Sequence, residues 1–329
     1  MIADHAYQLG DSRAFLRLPG FQERFDTILK VEGLNTAGSV KIKTAREMVL
    51  SALARGELRA GMHLIESTSG NLGVALASIC AAEHIRLTIV TDPNVNAASA
   101  RCIEALGAEV VTVTERDRNG GFLQTRIDYI TGRLADDSRM VWLNQYVNPA
   151  NPRAHQSTTA REIESEFGAP DWVFVGVGST GTLMGCLAHF RAIEAPTRMV
   201  GVDTVGSVTF GGLPGPRWIP GLGSSRRPEI FSDDGDFAKC TVPEADTVRI
   251  CRRIAREHGL LIGGSTGTVL AAVAAMQDRI MTGSQVVVIS PDLGERYLDT
   301  IYNDRWVIDR YGPDLMHAIE DDVRVSVDR

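Results

Sequence analysis

The pentapeptide Gly-Ser-Thr-Gly-Thr occurs twice in this chain, at residues 178–182 and 264–268. Each copy follows an apolar run typical of a buried strand and precedes a run with helical periodicity. A Gly-rich turn in that position exposes backbone N–H groups and the positive end of the helix dipole, so it can bind a phosphate or carboxylate without a cation. A third such turn, at 67–71, precedes the helical pattern that begins near Leu72. Together the three turns predict a phosphorylated cofactor and an acidic substrate.

Short β-branched runs alternate with amphipathic segments along most of the chain. The runs predict buried strands at 87–91, 110–113, 173–177, 199–203 and 286–289. Apolar residues at three- and four-residue spacing predict helices at 72–82, 98–106, 123–134, 158–167, 183–193, 245–258 and 269–276. This alternation predicts an α/β fold with twisted, mainly parallel sheets flanked by helices.

Two segments interrupt the alternation. Residues 148–152 contain two prolines and two asparagines, which predicts a crossover between two lobes. Residues 211–223, with the sequence GGLPGPRWIPGLG, are too rich in glycine and proline for a helix or central strand. We expect them to form an ordered loop near the functional site or an interface.

Composition disfavours several classes of partner. The formal net charge is −7 and the basic residues are scattered, which argues against nucleic acid and anionic membranes. No stretch approaches the roughly 20 apolar residues that span a bilayer, and the first residues lack the apolar core of a signal peptide. Five cysteines lie far apart without CxxC spacing, so neither a disulfide framework nor a zinc site is indicated. These features predict a cytoplasmic protein.

Lys41 is the candidate nucleophile, at the start of a helical pattern that follows the string NTAGSV. A lone lysine is usually a solvated surface charge, and spacing alone does not distinguish the two interpretations. A lysine amine can, however, form an imine with a carbonyl cofactor and then act as a proton-transferring base. That chemistry also needs a phosphate-binding turn, a partner for a pyridine nitrogen and a carboxylate-binding turn, and the chain has a candidate for each.

The strings AGSVK, ESTSGN, GVGSTGT and GGSTGT occur in an order and spacing that resembles the fold-type II pyridoxal-phosphate enzymes of the cysteine synthase and cystathionine β-synthase family. The resemblance covers about residues 30–300. It implies a two-lobed, tryptophan synthase β-like architecture with pyridoxal 5'-phosphate between the lobes, and a homodimer. Residues 42–149 would form a smaller, mobile lobe, and residues 1–41 with 150–329 a larger one.

The same resemblance implies a role for each motif residue. Lys41 would be the Schiff-base lysine and the catalytic base, and Asn71 would hydrogen-bond the phenolic oxygen of the cofactor. The cofactor phosphate would lie on the turn formed by Gly178, Ser179, Thr180, Gly181 and Thr182. Ser265 would face the pyridine nitrogen, where a neutral hydroxyl favours elimination over transamination. Thr68, Ser69 and Gln145 would bind the substrate α-carboxylate, although a turn or cap role also explains Thr68 and Ser69.

Longer strings narrow the resemblance to one branch of the family: HLIESTSGNLG, NGGFLQTR, NQY, GSVTFG, GLGSSR and PDLGERYLD. This branch joins O-phospho-L-serine to L-glutamate and releases phosphate, a step toward the 2,3-diaminopropionate of siderophores and peptide antibiotics. Four side chains would supply the extra hydrogen bonds and positive charge that these two anionic substrates need: Arg126, Tyr146, Ser179 and Arg226. For both arginines, a solvated surface position is the open alternative.

Three other functions remain open at this stage. A cysteine synthase that uses O-phosphoserine or O-acetylserine with sulfide would share the cofactor site, and only Arg126 and Tyr146 discriminate against it. A non-catalytic metabolite-binding protein would keep the turns but would not need Lys41. A nucleotide-binding dehydrogenase is disfavoured, because Gly176, Gly178 and Gly181 give only a lone, loose match to the GxGxxG pattern, and a lone match is weak evidence. One departure from the family is Ile42-Lys43, which replaces the usual Asp-Arg after the lysine.

Overall fold

The computed structural model describes residues 2–10, 13–68, 70–118 and 120–319. The strands in these ranges are β1 Phe15–Arg17, β2 Asp26–Val31, β3 His63–Ser67, β4 Arg86–Thr91, β5 Glu109–Thr112, β6 Met140–Trp142, β7 Trp172–Gly176, β8 Arg198–Thr204, β9 Ala238–Val242 and β10 Gln285–Ser290. The α-helices are α1 Lys41–Ala54, α2 Asn71–Ala82, α3 Ala97–Ala105, α4 Leu123–Asp136, α5 Ala150–Ser157, α6 Thr159–Phe167, α7 Gly181–Ala192, α8 Glu244–His258, α9 Gly264–Ala275 and α10 Asp304–Tyr311, with a further helix over 313–319. Single 3₁₀ turns occupy Ala6–Gly10, Gln277–Arg279 and Gly294–Tyr297.

The strands form two sheets. The larger sheet has the order β1-β2-β10-β7-β8-β9, and all its pairs are parallel except the edge pair β1–β2. The smaller sheet has the order β5-β4-β3-β6 and is parallel throughout. The predicted α/β class with mainly parallel sheets is therefore confirmed.

Both faces of each sheet are buried, which explains why the strands read as continuous apolar runs. In β10, Val286 and Val288 face one core with α8 and α9, whereas Val287 and Ile289 face another with α6 and α7. In β3, Leu64 packs toward α1 and α2, and Ile65 packs on the opposite face toward α4. Each element thus has its apolar face covered.

All five predicted strands and all seven predicted helices occur, with boundaries that shift by a few residues. The one larger shift is at α9, which begins at Gly264, so the second pentapeptide is the first part of a helix and not the turn before it. Residues 211–223 contain neither helix nor strand, as predicted. Within the described residues, none of the helices combines the length and the apolarity that crossing a lipid bilayer requires.

The segment at 148–152, predicted as a crossover between lobes, leads directly into a helix. Residues 150–152 are the first turn of α5, a helix that packs against both α1 and α7. Pro149 and Pro152 are tolerated there because the first N–H groups of a helix have no intrahelical partner. All four strands of the smaller sheet come from residues 63–142. The lobe limits at 42–149 remain a prediction.

Four buried charged side chains join β2, α1 and α6; we call them the charge quartet. Lys30 Nζ lies 3.2 Å from Glu32 Oε1 and 2.5 Å from Glu162 Oε2, and Lys43 Nζ lies 2.9 Å and 2.7 Å from the same two oxygens. Burial alone would lower the pKa of Lys43, but Glu32 and Glu162 outweigh that effect and raise it. Charges this deeply buried persist only when they are paired, so the quartet fixes the first turn of α1 relative to the larger sheet.

We predict that Lys43→Met lowers the free energy of unfolding by about 3–5 kcal/mol, because it leaves two buried carboxylates to share the single ammonium group of Lys30. Urea unfolding followed by circular dichroism measures the change. A matched control is Arg55→Met, which breaks an exposed pair with Glu57 and should leave the urea midpoint unchanged. The double variant Lys43→Met/Glu162→Gln restores neutrality. Its free energy of unfolding should therefore fall by less than the sum of the decreases in the two single variants. An unchanged midpoint for Lys43→Met would contradict a structural role for the quartet.

Candidate active site

The predicted site residues lie at the carboxyl ends of the parallel strands, where α/β proteins bind their ligands. Lys41 is the first residue of α1, and the preceding Val40 donates its N–H to the Pro291 carbonyl at 2.8 Å, just after β10. Asn71, the first residue of α2, donates Nδ2 to Asp292 Oδ2 at 2.7 Å. The segment at 291–292 therefore holds the starts of α1 and α2 together.

Ser265 lies at this same point of the molecule. It is the second residue of α9, it is buried, and Gly263 just before the helix donates its N–H to the Asp292 carbonyl at 3.3 Å. A Cβ on Gly221 would come within 3.0 Å of Ser265 Oγ, so the loop at 211–223 covers this serine closely. The structure thus brings Lys41, Asn71 and Ser265 to one site.

Lys41 and Lys43 lie two residues apart on α1, but their surroundings shift their pKa values in opposite directions. The Lys41 side chain keeps partial contact with solvent, yet protein atoms surround its amine, and this burial lowers the pKa of Lys41 to about 8. No carboxylate counteracts the effect of burial on the pKa of Lys41, whereas two carboxylates raise the pKa of Lys43. Because a neutral amine is the nucleophile and the base, Lys41 is the lysine of the two that is suited to chemistry.

The two copies of the pentapeptide differ in conformation and in their free hydroxyls. In the first copy, Thr180 has a left-handed backbone with φ of 68° and is 2% exposed, and its Oγ1 has no hydrogen-bond partner. In the second copy, Thr266 Oγ1 lies 2.9 Å from Ser290 Oγ, and Thr268 Oγ1 lies 2.8 Å from Thr247 Oγ1. A buried hydroxyl without a partner is costly unless a ligand supplies one. Among the four threonines of the two copies, Thr180 is thus the one with a spare hydroxyl at a helix N-terminus, where it could donate to a phosphate.

His155 connects this phosphate-binding turn to α1. It is fully buried, and its Nε2 lies 3.0 Å from Thr44 Oγ1 and 3.2 Å from Thr182 Oγ1. Burial, together with the charges of Lys41 and Lys43, holds the pKa of His155 well below its usual range. A neutral imidazole with threonine partners is a satisfied structural group, and the described residues contain no cluster of His, Cys, Asp or Glu able to hold a metal ion.

Asn151 connects three parts of the site through one buried carboxamide. Its Nδ2 donates to the Gln145 carbonyl at 2.8 Å and to Ser179 Oγ at 3.0 Å, and its Oδ1 accepts from Thr44 Oγ1 at 3.3 Å. A Cβ on Gly181 would overlap Asn151 Oδ1, which explains why the turn needs glycine there. Sequence reasoning missed Asn151, although its place in an Asn-Pro-rich segment was noted.

Buried polar side chains meet at the turn after β3, where the α-carboxylate site is predicted. Thr68 is buried, and its Oγ1 accepts the Gly70 N–H at 3.2 Å, so it does act as a turn former. Gln145 is also buried and donates Nε2 to the Ser67 carbonyl at 3.2 Å, while Ser67 Oγ is buried without a partner. The predicted residue Ser69 lies outside the residues that the structure describes. Thr68 and Gln145 are thus adjacent, with a spare hydroxyl beside them.

A cavity of about 480 Å³ lies beside this turn, and Arg126 and Tyr146 line it. The solvated alternative for Arg126 is wrong: the residue is 6% exposed, with Nη1 3.3 Å from Asp92 Oδ2, and its Nε and Nη1 make no hydrogen bond. Arg226 is different, because it is exposed, pairs with Glu229 and does not line the cavity. Two lining arginines that sequence reasoning missed, Arg116 and Arg217, bring the lining to three arginines against one carboxylate.

This chain belongs to the family of pyridoxal-phosphate-dependent enzymes, whose family model matches residues 12–292. It is similar to two proteins named N-(2-amino-2-carboxyethyl)-L-glutamate synthase. One, from Ralstonia nicotianae, is 39% identical over 283 residues, which are 86% of this chain and 84% of that protein. The other, from Cupriavidus metallidurans, is 37% identical over 286 residues, with the same two coverages of 86% and 84%.

A solved structure of an O-ureido-L-serine synthase variant bound to O-ureido-L-serine has a similar fold. Its TM-score is 0.85 at 28% sequence identity, and the match covers 100% of this chain and 99% of that one. The predicted two-lobed fold-type II class and the pyridoxal-phosphate cofactor are therefore confirmed. The residues also fit the cofactor. The Thr180 hydroxyl, which has no partner and lies at a glycine-rich helix start, can donate a hydrogen bond to the cofactor phosphate.

We predict that Lys41 in the cofactor-free protein reacts with acetic anhydride with a midpoint near pH 8, since the amine is protonated below that pH and neutral above it. Peptide mass spectrometry of labelling across a pH series measures this midpoint. The surface lysine Lys239 is the internal reference and should lag behind Lys41 at pH 8. In urea, the Lys41 midpoint should return to about 10.4, the value of an unfolded chain. Equal labelling of both lysines in the folded protein would contradict the buried setting of Lys41.

We predict that Gly181→Ala lowers the free energy of unfolding by about 1–3 kcal/mol and weakens pyridoxal phosphate binding, because the added methyl overlaps Asn151 Oδ1. Equilibrium dialysis with the cofactor and urea unfolding measure the two effects. The matched control is Gly132→Ala in α4, where nothing lies within 4 Å of the new Cβ. That control should raise stability by about 0.5–1 kcal/mol and leave cofactor binding unchanged. Equal cofactor affinity in both variants would count against the proposed phosphate turn.

Proposed function

We propose that this enzyme joins O-phospho-L-serine to L-glutamate and gives N-(2-amino-2-carboxyethyl)-L-glutamate and inorganic phosphate. The two curated relatives carry the name of this activity. The observation that carries the proposal in this chain is the cavity next to the carboxylate turn, whose lining has three arginines and one carboxylate. An excess of positive charge around a cavity of amino-acid size suits a dicarboxylic substrate.

The charge of the cavity also separates this function from that of a cysteine synthase. Sulfide is small and has no carboxylate, so it has no use for a buried guanidinium group with spare N–H donors, such as Arg126, whose Nε and Nη1 make no hydrogen bond. A buried charged donor is costly unless the ligand completes its bonding. Glutamate completes it and sulfide does not.

We propose the following contacts with the cofactor and with phosphoserine. The turn at 178–182 binds the cofactor phosphate with its backbone N–H groups and the Thr180 hydroxyl. Asn71 orients the ring, with its own amide held by Asp292 and by Arg296, whose Nη1 donates to Asn71 Oδ1 at 2.6 Å. Ser265 faces the pyridine nitrogen. Thr68, Ser69 and Gln145 bind the α-carboxylate of phosphoserine.

The reaction exchanges one bond at Cβ of the serine. The Cβ–O bond breaks and phosphate leaves with its electron pair, and a Cβ–N bond then forms with the α-amine of glutamate, which loses a proton. Bound pyridoxal phosphate withdraws electrons from Cα, which makes the Cα proton acidic and allows the group on Cβ to leave. Lys41 Nζ removes the Cα proton and later returns it, a task for which a pKa of about 8 is well matched.

The proposal also includes lobe closure and the oligomeric state, location and pathway that the resemblance implies. The lobe at 42–149 closes over the substrates and excludes water, which would otherwise compete with glutamate for Cβ. Contact between the two sides of the cavity supports closure, because a Cβ on Gly121 would lie 2.9 Å from Ser225 Oγ in the opposite wall. We further propose a cytoplasmic homodimer whose product supplies 2,3-diaminopropionate to siderophore or peptide-antibiotic synthesis.

We predict that the holoenzyme with phosphoserine and glutamate yields one phosphate per molecule of the amine adduct, measured by phosphate assay and mass spectrometry. Parallel reactions with sulfide, and with O-acetylserine as the donor, test the cysteine synthase alternative. Lys41→Ala should lower turnover by at least about 1,000-fold, because it removes both the nucleophile and the base. Its fold is checked by circular dichroism. Cysteine as the sole efficient product would reject the proposal, and absence of phosphate release with every acceptor would indicate a binding protein.

A further inference from the structure

Arg217 lines the cavity without an ion pair to a described residue, whereas Arg126 in the same wall lies 3.3 Å from Asp92. Arg217 is half-buried within the irregular segment at 211–223, where 211–216 and Trp218 are exposed, so it lies near the cavity mouth. Its Nε is buried and has no hydrogen-bond partner, and no ion pair forms between Arg217 and a described carboxylate. Burial lowers the pKa of Arg217, and the more distant Asp203 and Glu244 only partly offset that cost.

Neither of these two carboxylates is available to Arg217. Glu244 accepts the N–H groups of Trp218 and Ile219 and the hydroxyl of Tyr311. Asp203 accepts the Thr204 N–H at 2.8 Å. The backbone holds the guanidinium in place, since a Cβ on Gly223 would come within 2.5 Å of Arg217 Nη1. The structure therefore maintains a partly desolvated cation without a counter-ion, which is the signature of a site for an anionic ligand.

The other lining arginines differ from Arg217 in ways that divide their roles. Arg116 is exposed, donates Nη1 to the Gly120 carbonyl at 2.5 Å and stacks on the Phe122 ring at 4.8 Å, so its guanidinium is already engaged. Arg126 lies deeper, beside Asp92. Arg126 and Arg217 both act on the Tyr146 phenol, since each offsets part of the rise that burial causes in the pKa of Tyr146. The phenol thus lies within the field of two guanidinium groups.

We propose that Arg217 binds the side-chain carboxylate of the second substrate and thereby selects an acidic amino acid as the amine donor. This inference rests on the proposed function. The α-amine of that substrate must reach Cβ at the cofactor, so its side chain points away from the cofactor toward the mouth of the cavity, where Arg217 lies. Two parallel N–H groups of the planar guanidinium can donate to the two oxygens of a side-chain carboxylate. A glutamine substrate offers only one oxygen in its side-chain amide.

The test compares glutamate with glutamine as the acceptor, using the holoenzyme and phosphoserine. In Arg217→Gln, we expect kcat/KM for glutamate to fall by about 100-fold, mainly through KM, because a desolvated charge pair is lost. For glutamine we expect little change, so the preference for glutamate collapses. Arg217→Lys should keep part of the preference. The matched control is Arg139→Gln, which removes a surface guanidinium paired with Asp137 and should leave both substrates unaffected.

Phosphoserine alone provides a check on folding and on the first half of the reaction. Its cofactor absorbance change and phosphate release should be the same in wild type and in Arg217→Gln. Retention of the wild-type preference for glutamate in Arg217→Gln would overturn the proposal. So would a loss of that preference in Arg226→Gln but not in Arg217→Gln. If the wild type uses sulfide and never glutamate, the proposed function itself fails, and that result is visible before any variant is made.

Discussion

The carboxamide of Asn151 is the interaction on which the site depends. It is fully buried, and its three hydrogen bonds reach Thr44 one turn after Lys41, the carbonyl of Gln145, and Ser179 in the phosphate turn. A buried amide that loses one partner costs more than the bond itself gains, so the three segments are placed as a unit. The base, the carboxylate turn and the phosphate turn come from distant parts of the chain, and this one side chain sets their spacing.

The five strands with a run of β-branched residues could be predicted from sequence, whereas β2 and β3, which carry the buried charged residues Lys30 and Glu66, could not. In β3, Glu66 is buried because the Trp142 indole and the backbone N–H of Ser67 donate to its carboxylate, while burial raises its pKa to about 7. In β2, the buried Lys30 depends on the carboxylates of Glu32, just after the strand, and of Glu162 in α6. Such strands interrupt the apolar pattern, and their polar residues become stable only in the assembled structure. The second pentapeptide was predicted as a turn but begins a helix, because the same five residues suit either structure.

The motif residues of the site could be placed from sequence because strand-to-helix turns always point toward the same edge of a parallel sheet. Apart from Arg126 and Tyr146, the cavity proposed for the second substrate could not be predicted from sequence. Much of its wall is irregular backbone without periodicity. Arg217 and Arg226 both lie in Gly/Pro-rich sequence, yet one lines the cavity and the other pairs with Glu229 at the surface. The close approach of Gly221 to Ser265 and of Gly223 to Arg217 leaves little room for a side chain at either glycine, and sequence alone does not reveal such contacts.

The scarcity of lysine has a consequence for how the apoenzyme acquires its cofactor. Only four lysines occur in the chain. Lys30 and Lys43 are locked in buried ion pairs, and Lys239 is held by Asp233 at 2.6 Å. Within the described residues, Lys41 is therefore the one lysine of the four without an ion pair, and burial of its amine lowers its pKa to about 8. The fold itself thus offers the aldehyde of the cofactor one unpaired, readily deprotonated lysine, which suits the imine role proposed for Lys41.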